Sequence, residues 1–534
     1  MTGAGIRTDL PTRIRYSQGA GIYRIIPWGV GRPESIDELR ALLALARHHG
    51  QPVIPRGAGS AMPGNNVGPG VILDLTALDA GRCVVDPDSR RATLSPSIPL
   101  SSLNLAARRH DLIFPVDPSS GAWATLGGMV STNAAGPHTV RAGSVRNWVE
   151  EVTIETADGP LVLTRGVEPD PGHPVVVRWR AAVDPLIRHH AARLEARIPA
   201  VRKNSAGYGI HYYSTSGDLL DVVIGSEGTL GVLTGIVVRL VPVQADRASL
   251  RVAARARGGL PRVIERLRQF DPATMEFLDQ SFLQFVGPAA FGAEDPGLLS
   301  RAGGMLLVDF EGDDAGEVGR RAHAAAAAML GDALHVRVAT DPREIEAIWA
   351  VRHAASPILA GLSDGRRSLQ VIEDGCVPVA RLAEYLDAID RITALEQVDA
   401  VMFGHAGDGH VHVNLLPDLS RADWVDRVRR IFAAVSHAVI SMGGTPSGEH
   451  GVGRLREGLL AALYGPEMIE CFRAVKAAFD PDGRFNPGVI LGNADPLSDL
   501  KVGADAAAVP AAMDQYLTAI ESEARWGESR WPPH

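Results

Sequence analysis

Two short glycine-rich segments in the C-terminal half of the chain concentrate side chains that bind metal ions. They carry four histidines and one glutamate, namely His405, His410, His412, Glu449 and His450. Neutral imidazoles and a carboxylate are usual ligands of Zn²⁺ and similar divalent ions, and three protein ligands leave a coordination position open for a substrate. The residue types therefore suggest His405, His412 and Glu449 as metal ligands, with His450 as a general base.

The spacing of His405 and His412 indicates how the first segment must fold. Residues seven apart on one extended strand point to opposite faces, and the glycines between these two histidines disfavour a helix. A bent loop between two strands fits the pattern better. A polar, glycine-rich turn without a ligand is the alternative interpretation, because seventeen histidines make chance clusters easy.

Composition excludes several classes of protein. With 534 residues the chain is long enough for several domains, and 46% apolar with 22% charged residues is typical of a globular protein. A formal net charge of −9 provides no basic surface for nucleic acid or anionic membranes. Three unclustered cysteines argue against a disulfide framework and against a four-thiolate iron–sulfur cluster. Neither a signal-peptide core nor an apolar run of about 18 residues is present, so a cytoplasmic location is expected.

Further elements must hold the site, and the first of them lie near the N-terminus. Residues 35–49 have the apolar spacing of a helix capped by Ser35, and strands are expected at residues 52–55 and 71–75. Between those strands lies a run of small residues, from Arg56 to Gly64. Small residues let backbone N–H groups crowd around an anion such as a phosphate, although a simple turn is the alternative.

Two more runs of small residues strengthen the phosphate interpretation. They span residues 125–136 and 224–231, and the second precedes a β-rich stretch at residues 232–243. Small side chains could let a pyrophosphate or a flat ring lie against the backbone, whereas close helix packing is the structural alternative. Three such runs exceed what packing needs.

These motifs, with Pro115 to Pro118 and Gly143-Ser144, resemble the FAD-binding domain of the vanillyl-alcohol-oxidase and p-cresol-methylhydroxylase (PCMH) superfamily. The two histidine-bearing segments and residues 480–488 are similar to the FAD-linked oxidase branch, which holds D-lactate dehydrogenases, D-2-hydroxyglutarate dehydrogenases and the glycolate oxidase flavin subunit. The resemblance implies an α+β fold: a PCMH-type FAD-binding domain of two α+β subdomains, then an FAD-linked oxidase C-terminal α+β substrate domain. The expected boundaries are an N-terminal segment 1–26, the FAD-binding domain 27–243, the substrate and metal domain 244–492 and a C-terminal tail 493–534.

The resemblance implies a set of residues that bind FAD. They are Arg56, Gly57, Ala58, Gly59, Ser60, Ala61, Gly64, Pro118, Thr125, Gly127, Gly128, Thr132, Asn133, Gly136, Gly143, Glu227, Gly228, Gly231 and Asn486. Some relatives attach the flavin covalently through a histidine in the first loop. Ser60 holds that place here, so a noncovalent FAD is expected.

The resemblance also implies a divalent metal, Zn²⁺ or Mn²⁺, on His405, His412 and Glu449, in agreement with the ligand chemistry. His450 would take the hydroxyl proton of a 2-hydroxy acid while hydride passes to the flavin. Arg352 matches the Trp-x-x-Arg pattern and would grip the substrate carboxylate, because a guanidinium pairs with both oxygens. A solvated helix arginine is the alternative for Arg352.

Two departures from the family pattern affect the expected substrate. His410 stands where relatives have asparagine. Three roles for it are therefore left open: an additional ligand, a second base or an altered substrate contact. Glu373-Asp374 replaces the Lys-Tyr-Asp of relatives whose lysine holds a second carboxylate. D-lactate-like monocarboxylates are therefore expected ahead of glycolate and D-2-hydroxyglutarate.

The expected partners are a small 2-hydroxy acid and an external electron acceptor, such as a quinone, a cytochrome, an electron-transfer protein or a separate iron–sulfur protein. A homodimer and peripheral membrane association are compatible with the sequence. Two other functions stay open, a metal-independent flavin alcohol oxidase and a non-catalytic flavin subunit of a larger complex. Further helices are expected at residues 320–330, 421–442 and 465–479, with a strand at 305–310.

Overall fold

Helices make up the larger part of the regular structure. The computed structural model describes residues 5–287, 296–360, 362, 365–523, 525 and 528–532. The helices are α1 (Leu10–Arg15), α2 (Ile36–His48), α3 (Leu100–Ala107), α4 (Leu126–Thr132), α5 (Thr139–Ala142), α6 (Pro174–Arg178), α7 (Asp184–Glu195), α8 (Ile210–Ser216), α9 (Leu220–Val223), α10 (Leu260–Arg268), α11 (Gln280–Val286), α12 (Pro296–Arg301), α13 (Ala315–Met329), α14 (Pro342–Ala360), α15 (Leu382–Glu396), α16 (Trp424–Ser441), α17 (Leu460–Tyr464), α18 (Pro466–Phe479) and α19 (Ala511–Ser522). None of these helices is both long and apolar enough to cross a membrane.

The N-terminal half contains three sheets. Their strands are β1 (Gly29–Gly31), β2 (Val53–Arg56), β3 (Val71–Asp74), β4 (Cys83–Asp86), β5 (Arg91–Leu94), β6 (Leu112–Ile113), β7 (Val149–Thr156), β8 (Gly159–Thr164), β9 (Val232–Arg239) and β10 (Val241–Pro242). Strands β1, β3 and β2 pair in parallel, β4-β5-β9-β7-β8 form an antiparallel sheet, and β10 pairs with β6. The first and second sheets are the two α+β subdomains that the sequence predicts, and the first glycine-rich loop leaves the end of β2.

A seven-stranded sheet forms the second half of the molecule. Its strands are β11 (Asp246–Ala254), β12 (Thr274–Leu278), β13 (Met305–Gly312), β14 (Ala333–Ala339), β15 (Gly375–Cys376), β16 (Asp399–His405) and β17 (His410–Leu416). They pair antiparallel in the order β14-β11-β13-β12-β16-β17-β15. Because side chains alternate along a strand, Met275 and Phe277 enter the apolar core under the helices, while Thr274 and Glu276 face a cavity. One face of this sheet therefore packs entirely into an apolar core, whereas the other carries Glu276 beside the cavity and a second, smaller apolar cluster that includes Leu278 and Leu307.

The end of the chain returns to the first half. Helices α17 and α18 pack in the same apolar core as the antiparallel sheet β4-β5-β9-β7-β8. Phe485 forms a parallel bridge with Val53, next to the start of the first glycine-rich loop. This return places the loop that follows Glu449 against the FAD-binding half.

Most predicted elements are confirmed, with changes at their ends. Helix α2 has Ser35 as its N-cap, and α16 and α18 begin and end within a few residues of the predicted bounds. Helix α13 instead begins at Ala315, five residues before the predicted start at Arg320. The Asp314 carboxylate accepts from the Glu317 N–H at 3.0 Å and caps this earlier turn.

Candidate active site

Strands β16 and β17 form the predicted bent segment, a hairpin that gathers three histidines on one face. His405 lies directly opposite His410 in the register, and His412 follows two residues later on the same face. The connecting turn needs glycine at 409, where φ is +72° and a Cβ atom would lie 2.1 Å from the Val377 carbonyl oxygen. The glycine that disfavours a helix in the sequence therefore closes the hairpin.

The predicted metal ligands form a nearly equilateral triangle. The Nε2 atoms of His405 and His412 are 3.3 Å apart, and each is 3.4 Å from Oε1 of Glu449. Three ligands of a tetrahedral ion, each about 2.0–2.1 Å from the metal, are about 3.3–3.4 Å apart. The donor set and its spacing fit a divalent cation such as Zn²⁺.

The other nitrogens of these two histidines are already engaged. His412 Nδ1 donates to the Glu373 carbonyl oxygen at 2.9 Å, and His405 Nδ1 pairs with the buried carboxylate of Glu276. Such partners fix the tautomer and leave the Nε2 lone pair for a cation. Both imidazoles are thus held with Nε2 directed into the triangle.

Glu449 is held by a buried cation. Its Oε2 accepts from Lys203 Nζ at 2.8 Å, and the same Nζ lies 3.6 Å from the Asp408 carboxylate. Burial raises the pKa of Glu449, but Lys203 and His405 outweigh it and hold that pKa well below its usual range. Glu449 is therefore an anion, which is the form in which a carboxylate can bind a cation.

His450 has the orientation of a general base. Its Nδ1 contacts Glu373 Oε2 at 2.5 Å, and its Nε2 lies 3.5 Å from Glu449 Oε1, on the cavity side of the triangle. Glu373 is itself paired with the buried guanidinium of Arg456. Burial lowers the pKa of His450, but the carboxylates of Glu373 and Asp374 raise it to about 10.

Arg352 reaches the cavity from α14. Its Nε donates to Glu276 Oε2 at 2.8 Å, and its guanidinium lies 4.3 Å from the centre of the Phe403 ring. Glu276 therefore bridges Arg352 and His405. Burial raises the pKa of Glu276, but these two cations lower it to about 2, so the bridge is ionic.

His410 lies behind the triangle and does not line the cavity. Its Nε2 donates to Asp374 Oδ1 at 2.9 Å, and the Asp374 carboxylate also accepts the backbone N–H groups of Glu449 and His450, each at 3.0 Å. Of the three roles left open by the sequence, this buried position disfavours a substrate contact.

One large cavity of about 820 Å³ joins the metal triangle to the glycine-rich loops. Most of the residues predicted to bind FAD line it. The exceptions are Gly64, Asn133, Gly136, Gly143 and Asn486. The amide of Asn486 donates to the carbonyl oxygens of Asn65 and Glu227, each at 2.8 Å, and so fastens two cavity segments together.

Two charged residues of the predicted FAD set are also engaged with the protein. The guanidinium of Arg56 donates to the carbonyls of Tyr16 at 3.1 Å and Gln18 at 2.7 Å, which ties the N-terminal segment to the first loop. Glu227 accepts from Asn65 Nδ2 at 2.8 Å and from the backbone N–H of Val452 at 2.7 Å. Burial raises the pKa of Glu227 to about 7 against these hydrogen bonds. Both side chains shape the cavity wall.

Several residues that hold the site are not among those predicted from the sequence, and these include Lys203, Glu276 and Arg456. Glu276 had a detectable signal, because a carboxylate alternating with apolar residues in the strand Thr274–Leu278 must face a polar environment. His138 was also passed over. Its ring bridges the two halves of the molecule, with Nδ1 2.6 Å from Asp117 and Nε2 3.1 Å from Glu311.

Comparisons with known proteins agree with this architecture. Residues 27–165 match the family described as FAD binding domain, and residues 258–490 match FAD linked oxidases, C-terminal domain. The glycolate oxidase subunit GlcD of Bacillus subtilis is 28% identical over 469 residues, covering 87% of this chain and 89% of that protein. The D-lactate dehydrogenase of Archaeoglobus fulgidus is 29% identical, covering 86% and 91%.

A more distant relative and a solved structure extend the comparison. The D-2-hydroxyglutarate dehydrogenase of Xanthomonas citri is 25% identical, covering 89% of this chain and 92% of that protein. The structure of an alkyldihydroxyacetonephosphate synthase superposes with a TM-score of 0.64 at 16% identity, covering 90% of this chain and 83% of that one. The last likeness supports the fold alone.

Proposed function

We propose that this chain, which has the FAD binding domain and the C-terminal domain of FAD linked oxidases, is a metal-assisted dehydrogenase. Its similarity to D-lactate dehydrogenase, to a glycolate oxidase subunit and to D-2-hydroxyglutarate dehydrogenase supports this proposal. The enzyme would oxidise a D-2-hydroxy acid, D-lactate or a similar monocarboxylate, to the 2-oxo acid. The observation that carries the proposal is the ligand triangle of His405, His412 and Glu449 at the wall of the FAD cavity.

The proposed reaction depends on two bound groups, FAD and a divalent cation. The glycine-rich loops would hold FAD noncovalently, because Ser60 stands at the place of the attaching histidine, and FAD would supply the acceptor for the hydride from the substrate Cα. A divalent cation, Zn²⁺ or Mn²⁺, on the triangle would polarise the substrate hydroxyl as a Lewis acid and, through its charge, oppose protonation of His450.

His450 is the proposed base for the hydroxyl proton. Glu373 holds the Nδ1 side of its ring, so Nε2 is the nitrogen that faces the cavity. A carboxylate that orients an imidazole in this way also stabilises the imidazolium after proton transfer. The proton would therefore reside on His450 Nε2 when the electron pair leaves with the Cα hydrogen.

Arg352 is the proposed partner of the substrate carboxylate. Glu276 fixes its Nε and Phe403 lies against the guanidinium plane, so the group has one orientation in the cavity. Among the described residues that line the cavity there is no lysine. A small monocarboxylate fits this charge distribution better than a dicarboxylate.

The test is anaerobic bleaching of the flavin absorption band by D- and L-2-hydroxy acids, before and after EDTA treatment. We expect bleaching by a D-acid, its loss on chelation, and its recovery on adding Zn²⁺ or Mn²⁺. Bleaching by the acid that survives removal of all metal would contradict metal assistance and favour the alcohol oxidase. A flavin that no hydroxy acid or alcohol bleaches would favour the non-catalytic subunit.

Electrons must then pass to an external acceptor. Re-oxidation of the bleached flavin by a quinone, cytochrome c or an electron-transfer flavoprotein, measured in parallel, identifies the acceptor class.

A further inference from the structure

The imidazole of His410 carries a buried nitrogen without a hydrogen-bond partner among the described residues. That nitrogen is Nδ1, and the His410 side chain is 0% exposed. Its other nitrogen, Nε2, is engaged with Asp374 Oδ1 at 2.9 Å. An unsatisfied buried polar atom destabilises the folded state, so its retention here requires a reason.

The Asp374 contact determines which nitrogen of His410 carries the hydrogen. The carboxylate accepts, so Nε2 is the N–H donor and Nδ1 of the neutral ring presents a lone pair. Glu449 Oε2 lies 3.9 Å from Nδ1, which is too far for a hydrogen bond. The ionised carboxylate also has no hydrogen to donate. A cation bound at the cluster would give this lone pair a partner, which Lys203 does not, because its Nζ is engaged with Glu449 Oε2 at 2.8 Å.

The position of Nδ1 matches that need. His410 lies opposite His405 in the β16–β17 hairpin, and its ring centre is 4.6 Å from that of His412. One donor atom from each of His405, His410, His412 and Glu449 falls within 4.8 Å of the other three. His410 approaches the ligand cluster from the buried side, away from the cavity.

We propose that His410 Nδ1 is a fourth protein ligand of the cation, so that the centre has three imidazoles and one carboxylate. This inference rests on the proposed function, which supplies the cation site. The substrate then adds to four protein ligands from the cavity side and raises the coordination number to at least five. Such a centre favours ions that accept five or six ligands.

X-ray absorption at the zinc edge tests the ligand count directly in the full-length, FAD-containing protein loaded with Zn²⁺. We expect the scattering of three imidazoles in the wild-type protein. A spectrum with two imidazoles would overturn the proposal for His410 and leave the three-ligand site of the proposed function intact. Failure of the wild-type protein to bind Zn²⁺ would overturn both.

The variant His410→Gln isolates Nδ1. The glutamine amide lies where Nε2 lies and can still donate to Asp374, but it places no donor atom at the Nδ1 position. We expect two imidazoles in its spectrum and a Zn²⁺ affinity reduced by at least about 10–100-fold, the range for loss of an outer-shell partner. FAD content should not change.

Two further variants control for folding and for the proposed function. His437→Gln alters an exposed histidine on α16 and should change neither the ligand count nor the affinity. His405→Ala removes a ligand of the triangle and should abolish Zn²⁺ binding. A His410→Gln protein that binds Zn²⁺ as tightly as the wild type, with an unchanged imidazole count, contradicts the proposal.

Discussion

The two ends of the cavity are built from different chemistry. The FAD end consists mainly of backbone and small side chains, such as the loops at residues 56–61 and 127–132. The other end, where we propose the metal site and which we call the metal end, consists of ionised side chains in pairs, such as Lys203 with Glu449 and Arg352 with Glu276. The backbone groups that surround FAD come from residues that are consecutive in the chain, whereas the paired charges come from segments that are far apart in the chain. The two ends should therefore fail separately when they are mutated.

The largest expected separation comes from His405→Ala. Loss of this ligand should abolish metal binding and remove several kcal/mol of Lewis-acid stabilisation, so turnover should fall by at least about 10³-fold. FAD content, measured by absorbance after denaturation, should equal that of the wild type. Turnover within about tenfold of wild type would disprove the metal assignment, and a parallel loss of FAD would show that the two ends are not independent.

Glu373→Gln tests the charge network without replacing a ligand of the triangle, and the backbone carbonyl that accepts from His412 Nδ1 is kept. The neutral amide cannot serve as the ionic partner of both His450 and Arg456, so the base loses its fixed orientation. We expect kcat to fall about 100-fold, in the range for general base catalysis, with Zn²⁺ content and KM nearly unchanged.

Glu384→Gln is the matched control for Glu373, because it also replaces a glutamate paired with an arginine, at a half-exposed position on α15. Its kinetics should equal those of the wild type. If Glu373→Gln raises KM and leaves kcat unchanged, Glu373 acts in substrate binding instead.

Gly57→Ala tests the FAD end. The added methyl group would lie 2.3 Å from Thr125 Oγ1, which caps α4 by accepting the Gly128 N–H at 3.3 Å. Losing such a cap costs about 1 kcal/mol, so we expect FAD affinity to fall roughly fivefold to tenfold, measured by fluorescence titration of the apoprotein. Zn²⁺ content should not change.

Gly331→Ala is the control for Gly57, since a Cβ atom at residue 331 would contact nothing within 4 Å. An FAD affinity in Gly57→Ala equal to that of this control would contradict the role of the first loop in the cradle.

The same difference explains what the sequence could predict. The glycine-rich loops are recognisable in the sequence because their residues are adjacent in the chain, and the proposed metal ligands because two short motifs carry them. The partners of those ligands, Lys203 and Glu276, lie 246 residues before Glu449 and 129 before His405, respectively. No local pattern connects such distances, so only the folded sheet brings them together.

The start of helix α13 is a smaller difference between the sequence prediction and the structure. Helix α13 begins at Ala315, whereas the prediction placed its start at residue 320 because it relied on the alanine-rich stretch that follows. The true signal was Asp314 followed three residues later by Glu317, which is a capping sequence. Local chemistry was sufficient there, whereas the metal end required tertiary contacts.

The smallest expected effect concerns the bridge between the two halves, where His138 lies between Asp117 and Glu311. Both partners are carboxylates, so the ring must donate from both nitrogens and is an imidazolium. Burial lowers the pKa of His138, but the two carboxylates raise it to about 10. A raised pKa gives stability that is fully present below the unfolded-state value of about 6.5 and is lost as pH rises through 10.

Replacing His138 with glutamine, which keeps hydrogen bonding but has no charge, should therefore lower the thermal unfolding midpoint by a few degrees at pH 6. The difference between wild type and variant should shrink as pH rises and vanish above about pH 10. His437→Gln, at an exposed position, should show no difference at either pH. If the unfolding midpoint of the His138 variant stays below that of the wild type by the same amount at every pH, the bridge acts by packing. The junction would then resemble the FAD end, which depends on shape, more than the metal end, which depends on charge.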